Sequence, residues 1–145
     1  MAALTEGRNT PEALGDVRSA GVAAGTTLFP GAIVMINAAG FLVEGQTATG
    51  LIGVGRSESL ANNAGGSNGD ITGDYKPGTY RVNNSAGADE ITDADRGKPC
   101  YAVDDQTVAK TDGTASRSPA GIVDHVDAHG VWVTFDVALT RAATA

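Results

Sequence analysis

The sequence predicts an all-β fold, a compact β-barrel or β-sandwich of short strands carrying an extended N-terminal arm. Three observations carry this expectation. Twenty glycines stand against seven aromatic residues, the apolar side chains are mostly Ala, Val, Ile and Leu in short runs, and the runs are bounded by Gly, Pro, Asn or Asp. That punctuation belongs to tight turns between strands rather than to long helices. A chain of 145 residues is long enough for one hydrophobic core and too short for two ordinary domains. The organisation expected is therefore an arm over residues 1–18 and a single β domain over residues 19–145.

The arm comes first. Residues 1–18 mix charge with Gly7, Gly15 and Pro11, and Leu4, Leu14 and Val17 are their only sizeable apolar side chains. Fixing a backbone costs roughly 1–2 kcal/mol per residue, on the order of 20 kcal/mol for the segment, which these few groups do not offset within one chain. Such an arm is expected to order only against a partner.

From residue 24 the pattern changes to strand, turn, strand, turn, strand, with apolar runs at 26–29, 32–36 and 41–43 separated by Pro30-Gly31 and by Asn37-Ala38-Ala39-Gly40. A further strand is expected over 50–57, where Gly53 and Gly55 leave one face bare while Ile52 and Val54 fill the other; interior glycines of this kind mark a bulge or a close approach of backbones. Residues 61–70 (ANNAGGSNGD) hold nothing apolar larger than Ala and read as an exposed flexible loop outside the core. Residues 71–75 and 79–82 flank Lys76-Pro77-Gly78 and read as a hairpin. Thr92 to Asp95 has the form of a capping box that Gly97 and Pro99 stop within one turn. Two hairpins close the chain, 100–103 with 107–110 and 121–126 with 131–137, the last strand placing Val131, Val133, Phe135 and Val137 on one face. Phrases recur between the halves, but their spacing is too irregular for a repeat.

Seventeen acidic against ten basic side chains give a formal charge of -7. Twelve of the acids are Asp scattered through turns, a surface that repels phosphate and argues against nucleic acid as a partner. A single cysteine, Cys100, excludes an internal disulfide framework and suits a reducing compartment. The N-terminus has no basic stretch followed by an apolar run of signal-peptide type, and the most apolar segment, 32–36, is far too short to span a bilayer. A soluble protein without membrane contact is expected.

No motif carries chemistry convincingly. Gly65-Gly66-Ser67-Asn68-Gly69 matches a nucleophile elbow in letters alone, because no helix follows and the flanks are Asn and Gly. His125 and His129 have the spacing that aims two imidazoles at one metal on a helix, yet they sit at a hairpin end where the rings need not converge. Asp93, Asp95 and Gly97 resemble the start of a calcium loop without its later ligands. Cys100, in an apolar strand beside Tyr101, reads as a small buried hydrophobe with no base to activate it. Asn83-Asn84-Ser85 is a glycosylation sequon only in form, and no phosphate-binding loop is present. Neither enzymatic activity, nor a cofactor, nor a metal is expected.

Longer stretches carry a resemblance: PGAIVMINAAGFLVEG at 30–45, ATGLIGVGRSE at 48–58, NNSAGADEITDADRGKPCYAVDDQTVAKTDG at 83–113 and AGIVDHVDAHGVWVTF at 120–135. Together they are similar to the small capsid cement or decoration proteins of Mu-like and related tailed phages and prophages. The resemblance implies a non-enzymatic structural protein, made in the bacterial host cytoplasm and seated on the outer capsid surface of the virion. It would stabilise contacts between capsomers, with the major capsid protein as partner and a dimer or trimer as its own assembly. The arm supplies the expected capsid interface through Leu4, Arg8, Pro11, Leu14, Val17 and Arg18, the arginines being suited to carboxylates on a partner. The rival reading is a carbohydrate- or receptor-binding β module of a virion in which residues 61–70 and Trp132 line a sugar site. A small hydrolase using Ser67 or Cys100 is a more distant third.

Overall fold

The structure is a computed structural model that describes residues 2–13 and 15–145. Among these the elements follow one another as β1 (Arg18–Gly21), β2 (Thr27–Leu28), β3 (Ile33–Ile36), β4 (Leu42–Glu44), β5 (Ile52–Ser57), β6 (Ala61–Asn62), β7 (Thr72–Lys76), β8 (Gly78–Val82), β9 (Pro99–Ala102), β10 (Val108–Ala109), β11 (Pro119–Asp127), β12 (Gly130–Phe135) and α1 (Val137–Ala143). Single 3-10 turns occupy Gly87–Asp89 and Asp93–Asp95. The fold is all-β, as expected. Its first five-stranded sheet has the order β1-β7-β5-β3-β4, its second β8-β12-β11-β9-β10, and β2 pairs with β6 as a separate ribbon. Every strand pairing is antiparallel.

Short polar side chains build the hairpin turns by satisfying backbone donors that the ladders leave free. Asn37 Oδ1 accepts from the Ala39 and Phe41 N–H groups at 3.0 Å, and Gly40 supplies the left-handed residue at φ 85° between β3 and β4. Asp104 accepts from Gln106 N–H at 2.9 Å between β9 and β10, and Asp127 from His129 and Gly130 N–H at 2.7 and 3.1 Å between β11 and β12. Along β12, Val131, Val133 and Phe135 are buried while Trp132 and Thr134 take the other face. The strand stops two residues short of Val137. Asp136 accepts the Leu139 N–H at 2.9 Å and so caps α1, turning Val137 into the first residue of a helix.

Two further expectations are corrected. Residues 71–82 are not a hairpin: β7 lies between β1 and β5, whereas β8 is bonded to β12 in the other sheet. Both edges of β7 are already occupied, so Lys76-Pro77-Gly78 carries the chain across from one sheet to the other. Residues 61–70 do contribute to the interior. Ala61 and Asn63 are buried, and the Asn63 amide donates to the carbonyls of Val22, Ala23 and Ser67 at 3.1, 3.0 and 2.9 Å. A buried amide is tolerated where carbonyls saturate its donors, and this one fastens the loop to the segment between β1 and β2.

The two sheets are built to one plan. Taken in chain order, the five strands of each have the same neighbours, and in each sheet one parallel bridge links the two edge strands at one end, Val22 to Leu42 and Asn83 to Thr107. The pairing of β3 with β5 skips Val54, and that of β9 with β11 skips Ala120. Each partner in the second bulge lies 66 positions after its counterpart in the first, as Val34 and Cys100, Gly55 and Gly121, Met35 and Tyr101, Gly53 and Pro119 show. The bulged strands β5 and β11 meet where the sheets pack, so closely that a Cβ on Gly53 would lie 1.9 Å from the Ala120 carbonyl oxygen. Ile33, Met35, Val43, Cys100, Val123, Val133 and Phe135 form the core shared by the sheets. Val22, Leu28, Val34, Leu42, Val54 and Ala61 form a second core within the curl of the first sheet, closed over by the β2–β6 ribbon.

Candidate functional site: an exposed arm and an arginine-aromatic cleft

The register of β1 on β7 decides where the arm departs. Arg18 stands opposite Tyr75, which sets Val17 against Lys76 and Asp16 against Pro77. Proline has no N–H to donate, and beyond it the chain has left for the second sheet, so no ladder continues upstream of β1. Residues 2–13 and 15–17 are exposed throughout, with Leu4 71% and Val17 50% accessible. Gly15 turns at φ 80°, and the Arg18 guanidinium donates to the Gly15 carbonyl at 2.8 Å and the Val17 carbonyl at 3.2 Å. Asp16 reaches Lys76 at 3.8 Å. Of the six expected interface residues, Leu4, Arg8, Pro11 and Val17 are exposed, Arg18 is the first residue of β1, and Leu14 lies outside the described residues.

Beside the arm's base is a cleft of about 370 Å³ at the seam between the sheets, bordered by Ile33, Arg56, Tyr80, Arg81, Trp132 and Phe135. Arg56 is paired with Glu58 through both carboxylate oxygens at 2.9 and 3.0 Å and lies over the Tyr80 ring at 4.1 Å. The hydrogen bond between them raises the guanidinium pKa and lowers that of Glu58. Burial raises the Tyr80 phenol, and the charge of Asp16 on the arm adds to the shift. The Tyr80 hydroxyl donates to the Pro77 carbonyl at 3.2 Å.

Trp132 is held from both neighbouring strands. His125 on β11 stacks on the indole at 5.4 Å with planes 9° apart, and the Arg81 guanidinium on β8 lies 5.8 Å from its centre. The indole N–H donates to Asp127 at 2.8 Å, the main reason that carboxyl is held below the usual carboxylate range. Residues 61–70 do not border this cleft, so Trp132 and the Asn/Gly loop are not brought to one site. Sequence reasoning missed the cleft because Arg56, Tyr80 and Trp132 come from separate strands whose meeting depends on the crossover at Pro77. The one local signal was the Arg56-x-Glu58 spacing, which puts both side chains on one face of a strand.

The remaining chemical candidates occupy structural positions. Cys100 is buried, its thiol donates toward the Gly121 carbonyl at 3.6 Å, and burial pushes its pKa up to about 12. Ser67 takes part in a turn in which its N–H donates to Asp70 at 2.9 Å, and β7 rather than a helix follows. The His125 ring contacts Asp124 at 2.6 Å. Thr92 and Asp95 form the expected capping box, with the buried Asp95 carboxylate accepting the Thr92 N–H at 2.9 Å and facing Lys98 and Lys110 at 3.7 and 3.6 Å. Among the described residues no group of three or more His, Cys, Asp or Glu is placed to hold a metal ion, and no helix is long and apolar enough to cross a membrane. The fold and site define a two-sheet β protein with a free N-terminal arm. Comparison with protein-family models, with curated proteins and with solved structures finds no match.

Proposed function

We propose that this chain is a non-enzymatic structural protein that binds the outer surface of a tailed-phage capsid and stabilises contacts between capsomers. The observation that carries the reading is the arm: a segment exposed along its described length, anchored to a β domain at a point where Pro77 prevents it from joining the sheet. Ordering such a segment costs on the order of 20 kcal/mol, and surfaces supplied by neighbours on a shell offset that cost. Bridging several subunits raises the effective concentration of each weak contact, so modest interfaces suffice. The buried, high-pKa Cys100 offers no nucleophile. The sugar-binding reading is less favoured, because His125 and Arg81 already engage the Trp132 ring on which a sugar would stack.

The test uses purified protein and mature shells lacking it. The full chain is expected to bind and to raise the temperature at which the shells disassemble. Removing residues 1–17 leaves the melting transition of the β domain in place but weakens shell binding at least tenfold, about 1.4 kcal/mol. Tight binding by the truncated chain, or no binding by either form, overturns the proposal.

A further inference from the structure

We propose that the arginine-aromatic cleft is the docking site for the N-terminal arm of a second copy of this chain, so that neighbouring copies exchange arms. This deepens the capsid reading by naming the arm's immediate partner, and it is tested without shells so that the two can fail separately.

Charge complementarity selects the occupant. The arm upstream of β1 carries Glu6, Glu12 and Asp16 against one arginine, Arg8. The cleft presents Arg56 and Arg81. Glu58 occupies Arg56, whereas the Arg81 side chain makes no hydrogen bond or ion pair among the described residues; it lies beside the Trp132 face, near enough to Asp127 for its charge to lower that carboxyl. An arginine with free donors suits an incoming carboxylate. Half-buried Tyr80, Val82 and Trp132 border the same cavity and offer an apolar surface to Leu4, 71% exposed in its own chain. Arginine, tyrosine and tryptophan around a partly apolar pocket are the composition of an interface hot spot.

Geometry makes the exchange reciprocal. Asp16 is within 3.8 Å of Lys76 and acts on Tyr80, so the arm leaves its own domain beside the cleft. Two copies placed cleft to cleft set each arm base at the mouth of the other's cleft, the self-complementary arrangement of a twofold pair. An extended arm of this length reaches about 50 Å at ~3.3 Å per residue, more than the diameter of about 35 Å expected for a β domain of this size. The arm therefore spans a neighbour. The base of the arm is tied to its own domain by the Arg18 bonds to the Gly15 and Val17 carbonyls and by the Asp16–Lys76 contact.

Two properties of the sequence make a direct test possible: Trp132 is the only tryptophan, and Cys100 is the only cysteine and is buried. A spin label on Leu4→Cys is thus selective, and the Trp132 indole N–H gives a unique resonance in the cleft. Mixing isotope-labelled unmodified chain with unlabelled spin-labelled chain is expected to broaden that resonance increasingly as the concentration rises towards ~1 mM, the range of weak association. Arg81→Glu in the isotope-labelled copy should weaken this effect about tenfold, and Glu6→Lys with Glu12→Lys in its spin-labelled partner should restore it. No broadening in the mixture overturns the inference. So does broadening that Arg81→Glu leaves unchanged. Broadening confined to label and isotope within one chain, independent of concentration, assigns the cleft to the chain's own arm and also overturns it.

Discussion

Replacing Gly53 by alanine adds one methyl group at the point where the two sheets are closest. An ideal Cβ there lies 1.9 Å from the Ala120 carbonyl oxygen, 2.6 Å from its carbon and 2.9 Å from its Cα. Relaxed contacts between non-bonded carbons begin near ~3.5 Å, so β11 must retreat by more than ~1 Å. No rotamer relieves the clash, because every opposing atom is backbone. A retreat of β11 draws Ala120 and Val123 out of the core shared with Ile33 and Met35, adding lost packing to steric strain. Overpacking costs about 1–3 kcal/mol, and this backbone-to-backbone case belongs at the upper end, about 3 kcal/mol. For a chain of this size that lowers Tm by about 10 °C. Gly7→Ala, with nothing within 4 Å of the added carbon, is the matched control and should not move the transition. Thermal and urea unfolding of the two variants measure the difference. A Gly53→Ala protein within ~1 kcal/mol of the parent would refute the account of the seam as a backbone-to-backbone contact.

Other changes test separate parts of the structure. Asn63→Ala leaves the carbonyls of Val22 and Ala23 without their side-chain donor and is expected to cost about 2–3 kcal/mol in urea unfolding, whereas a flexible loop would tolerate it. The Thr92 N–H, helped by Lys110 and Lys98, holds the Asp95 carboxyl below its ordinary value. Its contribution to stability is thus present above the unfolded carboxylate pKa and is lost as pH falls through the lower folded value. Asp95→Asn should flatten the fall in stability on the acid side of about pH 4; parallel pH curves for the two proteins would count against that role. Cys100, with its thiol pushed up to about 12, should resist maleimide in the folded protein at neutral pH and react once urea unfolds it. Rapid labelling of the native protein would show the strand to be accessible.

The parts of the fold that were legible in the sequence are those governed by neighbours along the chain. The hairpins at Asn37, Asp104 and Asp127 depend on a polar side chain reaching backbone a few residues away, and the buried face of β12 follows from simple alternation. The bulge expected from Gly53 and Gly55 is present at Val54. Long-range competition decided the rest. Pro77-Gly78 has the composition of a hairpin turn, but β1 and β5 occupy both edges of β7, so the same residues serve as a crossover. Asn63 gave no local sign of burial, since its three acceptors include carbonyls some forty residues away.

The shared plan of the two sheets explains why the repeated phrases did not read as a repeat. The offset of 66 that relates β3 to β9 and β5 to β11 does not persist: Tyr75 and Val133, opposite Ser57 and Val123 in their respective sheets, are 58 apart. The connection from β5 to β7 is longer than that from β11 to β12 because it contains β6 and the loop fastened by Asn63. Two equivalent units in one chain meet through equivalent strands, β5 on β11. The arm leaves from β1 and the cleft takes Tyr80 and Arg81 from β8, and these are the equivalent edge strands of the two sheets, so the arm exchange proposed above draws on corresponding edges of the two units.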